Sequence, residues 1–78
     1  MPIDRGSVTP PWRQVAADLQ ARIDGGEFPP GSRIPSILRL AEEYAVSPVT
    51  VRKALDALKD AGVLEATSGW GTHVTRSP

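Results

Sequence analysis

The chain has 78 residues, which is long enough for one small domain and too short for a second. Nine Lys and Arg residues balance nine Asp and Glu residues, and this zero net charge argues mildly against a nucleic-acid binder. The absence of cysteine excludes disulfides, thiolate catalysis and cysteine-based metal sites. The longest run without a charged residue, Ala66–Thr75, is far below the ~20 apolar residues of a membrane span. The N-terminus also has no charged-then-apolar export leader, so we expect a cytoplasmic protein.

The N-terminal third predicts an arm followed by a helix. Residues 1–10 have no apolar period and contain Gly and two Pro, which favours a flexible arm. The domain itself is expected at 11–75, with a C-terminal tail at 76–78. From Trp12 to Asp24 the apolar residues recur at helical spacing, and Gly25–Gly26 supplies left-handed residues that end the helix. The apolar stripe consists of Trp12, Val15, Ala16, Leu19 and Ile23.

The middle of the chain predicts a turn, a short strand and a second helix. Pro29-Pro30-Gly31 favours a type II turn with Gly31 at the position of positive φ. Arg33–Ile34 is compatible with a very short strand. Ser36 is a good N-cap for a helix of about nine residues. The apolar stripe of that helix consists of Ile37, Leu40, Ala41 and Tyr44.

A third helix is predicted after a tight turn at Ala45–Val46. Ser47 is its N-cap, Pro48 takes the first helical position, and Gly62 ends it, so we expect a helix over 48–61. Its apolar stripe consists of Val51, Ala54, Leu55, Leu58 and Ala61. Two helices joined by so short a turn form a helix-turn-helix.

The C-terminal segment changes from helical to alternating periodicity. The β-capable runs 63–67 and 72–75 flank the Gly-rich loop 68–71 and predict a hairpin. The expected fold is therefore mainly α with a small β-hairpin (α+β), a winged helix-turn-helix of three helices plus a two- or three-stranded wing. The sequence offers no combination of a nucleophile, a general base and a residue to orient that base, and no Gly-rich phosphate-binding loop follows a predicted strand. We therefore expect no enzyme activity, no cofactor and no metal site.

The third helix carries the features that suggest DNA recognition. In a helix-turn-helix the second helix of the pair enters the major groove, with its first turn at the base edges. Opposite the core stripe lie Val49, Arg52 and Lys53, with Asp56 and Asp60 further along. Arg52 could fork onto guanine or a phosphate, Lys53 could contact a phosphate, and Val49 a thymine methyl. A solvated helix face carries the same residue types, so the alternative that the helix pair is only a small helical packing unit remains open at this point.

Two residues of the hairpin also have alternative interpretations. Trp70, between two glycines, either folds back onto the domain or packs on a sugar–phosphate backbone, a minor-groove wall or a dimer partner. Alternation places His73 on the face opposite Thr72 and Val74. Because it has no Cys, Asp or Glu at ligand spacing, we expect a surface contact, such as one to phosphate. The pair Glu42-Glu43 is predicted to be solvated.

Four motifs occur in order and carry a family resemblance. They are Phe28 to Ser36, Leu40 to Ser47, Thr50 to Leu55, and Gly69 to Val74. Together they resemble the N-terminal DNA-binding domain of GntR-type bacterial transcription regulators, over about 11–74. The resemblance implies a winged helix that binds operator DNA as a dimer. Such regulators continue into a C-terminal effector domain, for which this chain has no room, so we expect no small-molecule effector site in it.

The resemblance also implies where DNA is contacted, namely the start of the second helix, the first turn of the third and the wing. Ser47 and Thr50 would hold phosphates, and Arg52 would reach the groove. The DNA-binding residues that we expect are Arg33, Ser36, Arg39, Ser47, Pro48, Val49, Thr50, Arg52, Lys53, Ser68, Gly69, Trp70 and Gly71. Since most acidic residues lie elsewhere, zero net charge does not exclude DNA binding, but it predicts weak and salt-sensitive binding.

The sequence departs from the family pattern at several positions. Leu38 and Pro48 stand where many members have Arg, and Trp70 stands where the wing often has a basic residue. Arg39, next to the usual site, could compensate in part. Ala45 stands where the turn commonly has Gly, and a left-handed Ala there would cost about 1 kcal/mol or more.

The sequence thus predicts a transcription regulator that binds specific double-stranded DNA, with repression favoured. Its recognition helix 48–61 would lie in the major groove and its wing loop 68–71 on the backbone or minor groove. We expect a weak homodimer, or a dimer on palindromic operator DNA, through the first helix or the arm, located in the cytoplasm on the nucleoid. The missing arginines, zero net charge and Trp70 suggest an alternative, a winged-helix protein-interaction module with little or no DNA binding.

Overall fold

The computed structural model describes residues 3–4, 6–67 and 71–75. They form three helices and an antiparallel hairpin, which confirms the predicted winged helix-turn-helix. The elements are α1 (Pro11–Asp24), α2 (Ile37–Tyr44), α3 (Pro48–Asp60), β1 (Leu64–Thr67) and β2 (Gly71–Val74). No helix in these ranges is long and apolar enough to cross a membrane.

Serine caps begin both helices of the helix-turn-helix. The Ser36 hydroxyl accepts a hydrogen bond of 3.3 Å from the backbone N–H of Arg39, and the Ser47 hydroxyl accepts one of 3.2 Å from that of Thr50. Each bond satisfies a backbone donor that the first helical turn leaves free. At its other end α3 stops at Asp60, so the cap residue Ala61 is exposed instead of completing the apolar stripe as expected.

The turn between α2 and α3 depends on a left-handed alanine. Ala45 has φ 55° and ψ 46° and is the only non-glycine residue with positive φ in the described part of the chain. The geometry lets the N–H of Val46 donate back to the carbonyl of Ala41 at 3.0 Å, which closes the end of α2. The strain expected for an alanine here is therefore present.

The hydrophobic core lies where the three helices meet the base of the hairpin. α1 and α2 both pack on α3, and the predicted stripes supply most of the buried side chains. The buried residues are Val15, Ala16, Leu19, Ile34, Leu40, Ala41, Tyr44, Val51, Ala54, Leu55, Leu58, Leu64 and Val74. Of the other residues in the predicted stripes, Ile23 and Ile37 are partly buried against this cluster, Ala61 is exposed, and Trp12 is half-buried at the edge of α1 outside the cluster.

A third short strand ties the hairpin to the loop before α2. Glu65 pairs with His73 across the hairpin, and Arg33 forms a bridge to His73 from the other side. The N–H of Ile34 donates to the carbonyl of Thr72 at 3.0 Å. The predicted strand at Arg33–Ile34 is therefore present, as an isolated bridge. The base of the wing is thereby fixed relative to the start of α2.

Candidate nucleic-acid interface

The exposed face of α3 has the predicted orientation. Val51 is fully buried, while Arg52, Lys53 and Asp56 are exposed on the opposite side. Val49, on the first turn, has 77% of its surface exposed, although its side chain is apolar. This face therefore begins with an apolar group, continues with two cations and ends with acidic residues.

The first turn of α3 combines the two hydroxyl groups expected at phosphates. The side-chain oxygens of Ser47 and Thr50 lie 3.0 Å apart, and Ser47 also accepts from the Thr50 N–H. One hydroxyl hydrogen is used between the two residues, so the other can be donated outward. Pro48 is exposed at the first helical position, and because proline has no backbone N–H, this residue offers no main-chain hydrogen-bond donor there.

Three arginines close to the helix-turn-helix have no acidic partner. Arg33, Arg39 and Arg52 are exposed, and none forms an ion pair within residues 3–4, 6–67 and 71–75. The acidic side chains that form ion pairs do so with other cations, namely Glu27 and Glu43 with Arg22, Asp56 with Lys59, and Glu65 with His73. The zero net charge of the chain therefore does not mean that these three guanidinium groups are neutralised by ion pairs, and they are free to bind an anion.

The structure brings residues from three predicted segments into one cleft. Arg33 from the short strand, Ser36 from the cap of α2 and Gly71 from the wing line it together with Thr72. Gly71 has φ 76°, and a Cβ added there would lie 3.1 Å from Nε of Arg33. An alanine at this position would therefore be strained by its left-handed backbone and would displace the Arg33 side chain by a few tenths of an ångström. The expected wing residues Ser68, Gly69 and Trp70 lie outside the described residues.

A polar network that the sequence analysis missed joins α1 to α2. The Tyr44 hydroxyl donates to the carboxylate of Asp18 and accepts from Arg22 at 2.9 Å. Burial, together with the Asp18 hydrogen bond, raises the pKa of Tyr44 to about 12. Arg22 also pairs with Glu43 at 2.9 Å, so Glu43 is not simply solvated as expected, whereas Glu42 is exposed. Asp18 and Arg22 are four residues apart on α1, a spacing that could have indicated their shared face.

Trp12 forms a second cluster that the sequence did not reveal. The ammonium group of Lys53 lies 5.2 Å from the centre of its ring, and the guanidinium group of Arg13 lies 5.4 Å from it. Both distances fit cation–π contacts. The apolar stripe of α1 assigned Trp12 to the core, and no pattern in the sequence indicated that it meets a side chain of α3.

His73 differs from the expectation for a surface residue. Only 17% of its side chain is exposed, and its Nε2 lies 3.5 Å from a carboxylate oxygen of Glu65. The carboxylate is a cross-strand neighbour, which is why sequence spacing did not reveal it. Within the described ranges no three His, Cys, Asp or Glu residues are placed to hold a metal ion.

The chain is similar to known bacterial regulators. A family model described as "Bacterial regulatory proteins, gntR family" matches residues 11–74. The mannosyl-D-glycerate transport/metabolism system repressor MngR of Escherichia coli is 42% identical over 65 residues, covering 83% of this chain and 27% of MngR. The transcriptional repressor NagR of Bacillus subtilis is 36% identical over 76 residues, covering 97% of this chain and 31% of NagR. The chain therefore spans less than a third of either relative.

Solved structures of similar fold include DNA complexes. YtrA from Sulfolobus acidocaldarius, a GntR-family transcription factor, superposes with a TM-score of 0.88 at 34% identity, covering 97% of this chain and 80% of that one. The DNA-binding domain of AraR in complex with operator ORX1 superposes with a TM-score of 0.88 at 29% identity. That match covers 96% of this chain and 95% of the AraR chain.

Proposed function

Because the chain belongs to the gntR family of bacterial regulatory proteins, we propose that it binds specific operator DNA as the DNA-binding part of a transcriptional repressor. The observation that carries the proposal is a set of guanidinium groups around the helix-turn-helix, Arg33, Arg39 and Arg52, that form no ion pair with any residue the structure describes. An anionic partner would neutralise them, and the AraR domain of the same fold has been solved on operator DNA.

In the proposed complex α3 lies in the major groove. Arg52 then reaches a base edge or a phosphate, and Val49 meets a thymine methyl. Ser47 and Thr50 donate their free hydroxyl hydrogen to a phosphate at the entrance of the groove. Ser36 and Arg39, on the first turn of α2, contact the backbone beside it.

The wing forms the second part of the proposed interface. Arg33 and Gly71 lie in the cleft between α2 and the hairpin, so a backbone that follows this cleft reaches both. The loop 68–70, between the two strands, would extend the contact to the backbone or minor groove. This assignment includes Trp70 as a group that stacks on the sugar–phosphate surface.

Two copies on a palindromic operator would provide the affinity that one recognition helix lacks. One helix reads only a few base pairs, and a two-fold arrangement doubles the contacts on half-sites one helical turn apart. We propose α1 or the N-terminal arm as the interface between copies, and the cytoplasm, on the nucleoid, as the location. Part of that arm contacts α1, because the Gln14 side chain hydrogen-bonds to the backbone of Asp4 and Thr9.

The proposal is tested by selecting bound sequences from a pool of random duplexes and titrating the selected duplex over a salt series. Affinity should fall with a log–log slope of about −0.9 per neutralised phosphate. Arg52→Ala should weaken specific binding by roughly 1–3 kcal/mol and relax the preference at one base pair. Lys59→Ala is the matched control, because Lys59 pairs with Asp56 near the far end of α3.

Two results would contradict the proposal. One is a lack of enrichment in the selection, and the other is a lack of duplex binding at ~50 mM salt. Recovery of one stoichiometric protein partner under those conditions would favour the protein-interaction alternative. An unchanged affinity of Arg52→Ala, with specific binding intact, would remove Arg52 alone from the interface.

A further inference from the structure

The cluster of Trp12, Arg13 and Lys53 lies beside the proposed recognition surface. Lys53 belongs to the exposed face of α3, while Trp12 and Arg13 belong to the first turn of α1, which packs on α3. The Lys53 ammonium group lies over the Trp12 ring, so it is held toward α1. The basic surface of α3 therefore continues onto α1 at this point.

The two cations of the cluster carry charge that nothing nearby neutralises. Arg13 and Lys53 are exposed, and neither forms an ion pair within the part of the chain that the structure describes. Both lie within 5.4 Å of the same ring centre, so at most twice that distance separates them. This upper limit is about one Debye length, ~10 Å at 0.1 M salt, so salt screens their mutual repulsion only in part.

An indole ring satisfies only part of what these cations need. A cation–π contact at an exposed site contributes roughly 0.5–1 kcal/mol and supplies no negative charge. A phosphodiester bound beside the ring, within reach of both side chains, would supply that charge and accept hydrogen bonds from both. The ring also limits the conformations of the two long side chains, which reduces the entropy lost when an anion binds.

We infer that Trp12, Arg13 and Lys53 form a phosphate-binding site for the DNA backbone on the α1 side of the recognition helix. The inference rests on the proposed DNA binding and extends the contact surface to α1, which the sequence did not include. Arg13 and Lys53 contact the phosphate directly. Trp12 is a positioning residue that holds both cations.

The test compares the wild-type domain with Arg13→Gln and Lys53→Gln on the selected duplex between ~50 and ~200 mM salt. Each variant should bind about three- to tenfold more weakly, and the magnitude of its log–log salt slope should fall by about 0.9. Trp12→Leu should also reduce the slope, and Trp12→Phe should restore it, because phenylalanine keeps an aromatic face for the cations. Lys59→Gln, the paired lysine of α3, should leave the slope unchanged.

Single neutral methylphosphonates in the duplex identify the contacted phosphate. One of the positions that weaken the wild-type protein should have no further effect on Arg13→Gln or Lys53→Gln, while the positions contacted by other residues should still weaken both variants. Wild-type slopes and wild-type methylphosphonate profiles in both variants would overturn the inference while leaving the proposed function intact. Failure of the wild-type protein to bind any duplex would instead overturn the proposed function. The melting temperature of each variant shows whether weaker binding comes from a lost contact or from a lost fold. If Lys53→Gln is unstable, the result for Arg13→Gln decides, because the Arg13 side chain is exposed.

Discussion

The substitution Ala45→Gly should stabilise the domain, although it removes a methyl group. Ala45 joins α2 to α3 with φ 55° and ψ 46°, a conformation that costs an alanine roughly 1–2 kcal/mol. Its side chain is exposed, so its removal leaves no cavity in the core. Glycine adopts this conformation freely but has a more flexible unfolded chain, which costs about 0.5–1 kcal/mol. The expected net gain lies between about 0 and 1.5 kcal/mol, centred near ~0.75 kcal/mol.

A gain of that size is large for a domain of 78 residues. The centre of that range corresponds to an increase of about 3–6 °C in the melting temperature. The measurement is urea denaturation followed by circular dichroism, with an unchanged m-value and a higher midpoint. An unchanged m-value shows that the gain does not come from a more compact unfolded chain.

Two control substitutions isolate the backbone term. Ala61 caps α3, is also exposed, and has φ −80°, so Ala61→Gly should lower stability by up to about 1 kcal/mol. Gly62 has φ 80° with open space around an added Cβ, so Gly62→Ala should also lower it, by about 1 kcal/mol or more. If Ala45→Gly and Ala61→Gly shift the midpoint in the same direction, strain at Ala45 is not what limits the stability of this turn.

Three further predictions concern the network, the wing and base recognition. Folding raises the pKa of Tyr44 from 10 to about 12, so the free energy of unfolding should keep the full contribution of Tyr44 below pH 10 and lose it between pH 10 and 12. In a series of urea melts at increasing pH, Tyr44→Phe should abolish that loss. Gly71→Ala should lower both melting temperature and DNA affinity, because the added Cβ meets Arg33 and φ is 76°; unchanged values would refute the close packing. Replacing thymine by uracil in the selected duplex should weaken the wild-type protein about fourfold per lost methyl contact. Val49→Ala should reduce that preference in an anisotropy titration, and full retention would exclude methyl recognition by Val49, whose surface is 77% exposed.

Local signals were sufficient for the elements of the fold. Ser36 and Ser47 each accept a hydrogen bond from the backbone N–H three residues later, and Gly31 provides the positive φ of its own turn. Because these effects involve only neighbouring residues, they can be predicted from the sequence. The left-handed Ala45 differs, because only the family resemblance, in which glycine commonly occupies this turn, suggested its conformation. The helical stripes likewise predicted the core, because the period of an amphipathic helix is encoded in consecutive residues.

Contacts between distant segments could not be predicted in the same way. Trp12 and Lys53 are on different helices, and their contact depends on how α1 crosses α3. The pairing of His73 with Glu65 depends on the register of the hairpin. The family resemblance supplied a prediction of which residues face DNA, but the partners of Arg22 required the three-dimensional arrangement of α1, α2 and the loop after α1.

The bridge between Arg33 and His73 has a consequence for the DNA rather than for the protein. It fixes the separation between the start of α2 and the wing, so these two contact regions cannot adjust independently to different duplexes. A duplex must then adopt the groove width that this rigid separation requires, and the elastic energy of doing so depends on its base steps. Sequence preference would therefore extend to base pairs that no side chain touches, through the stiffness of the DNA itself.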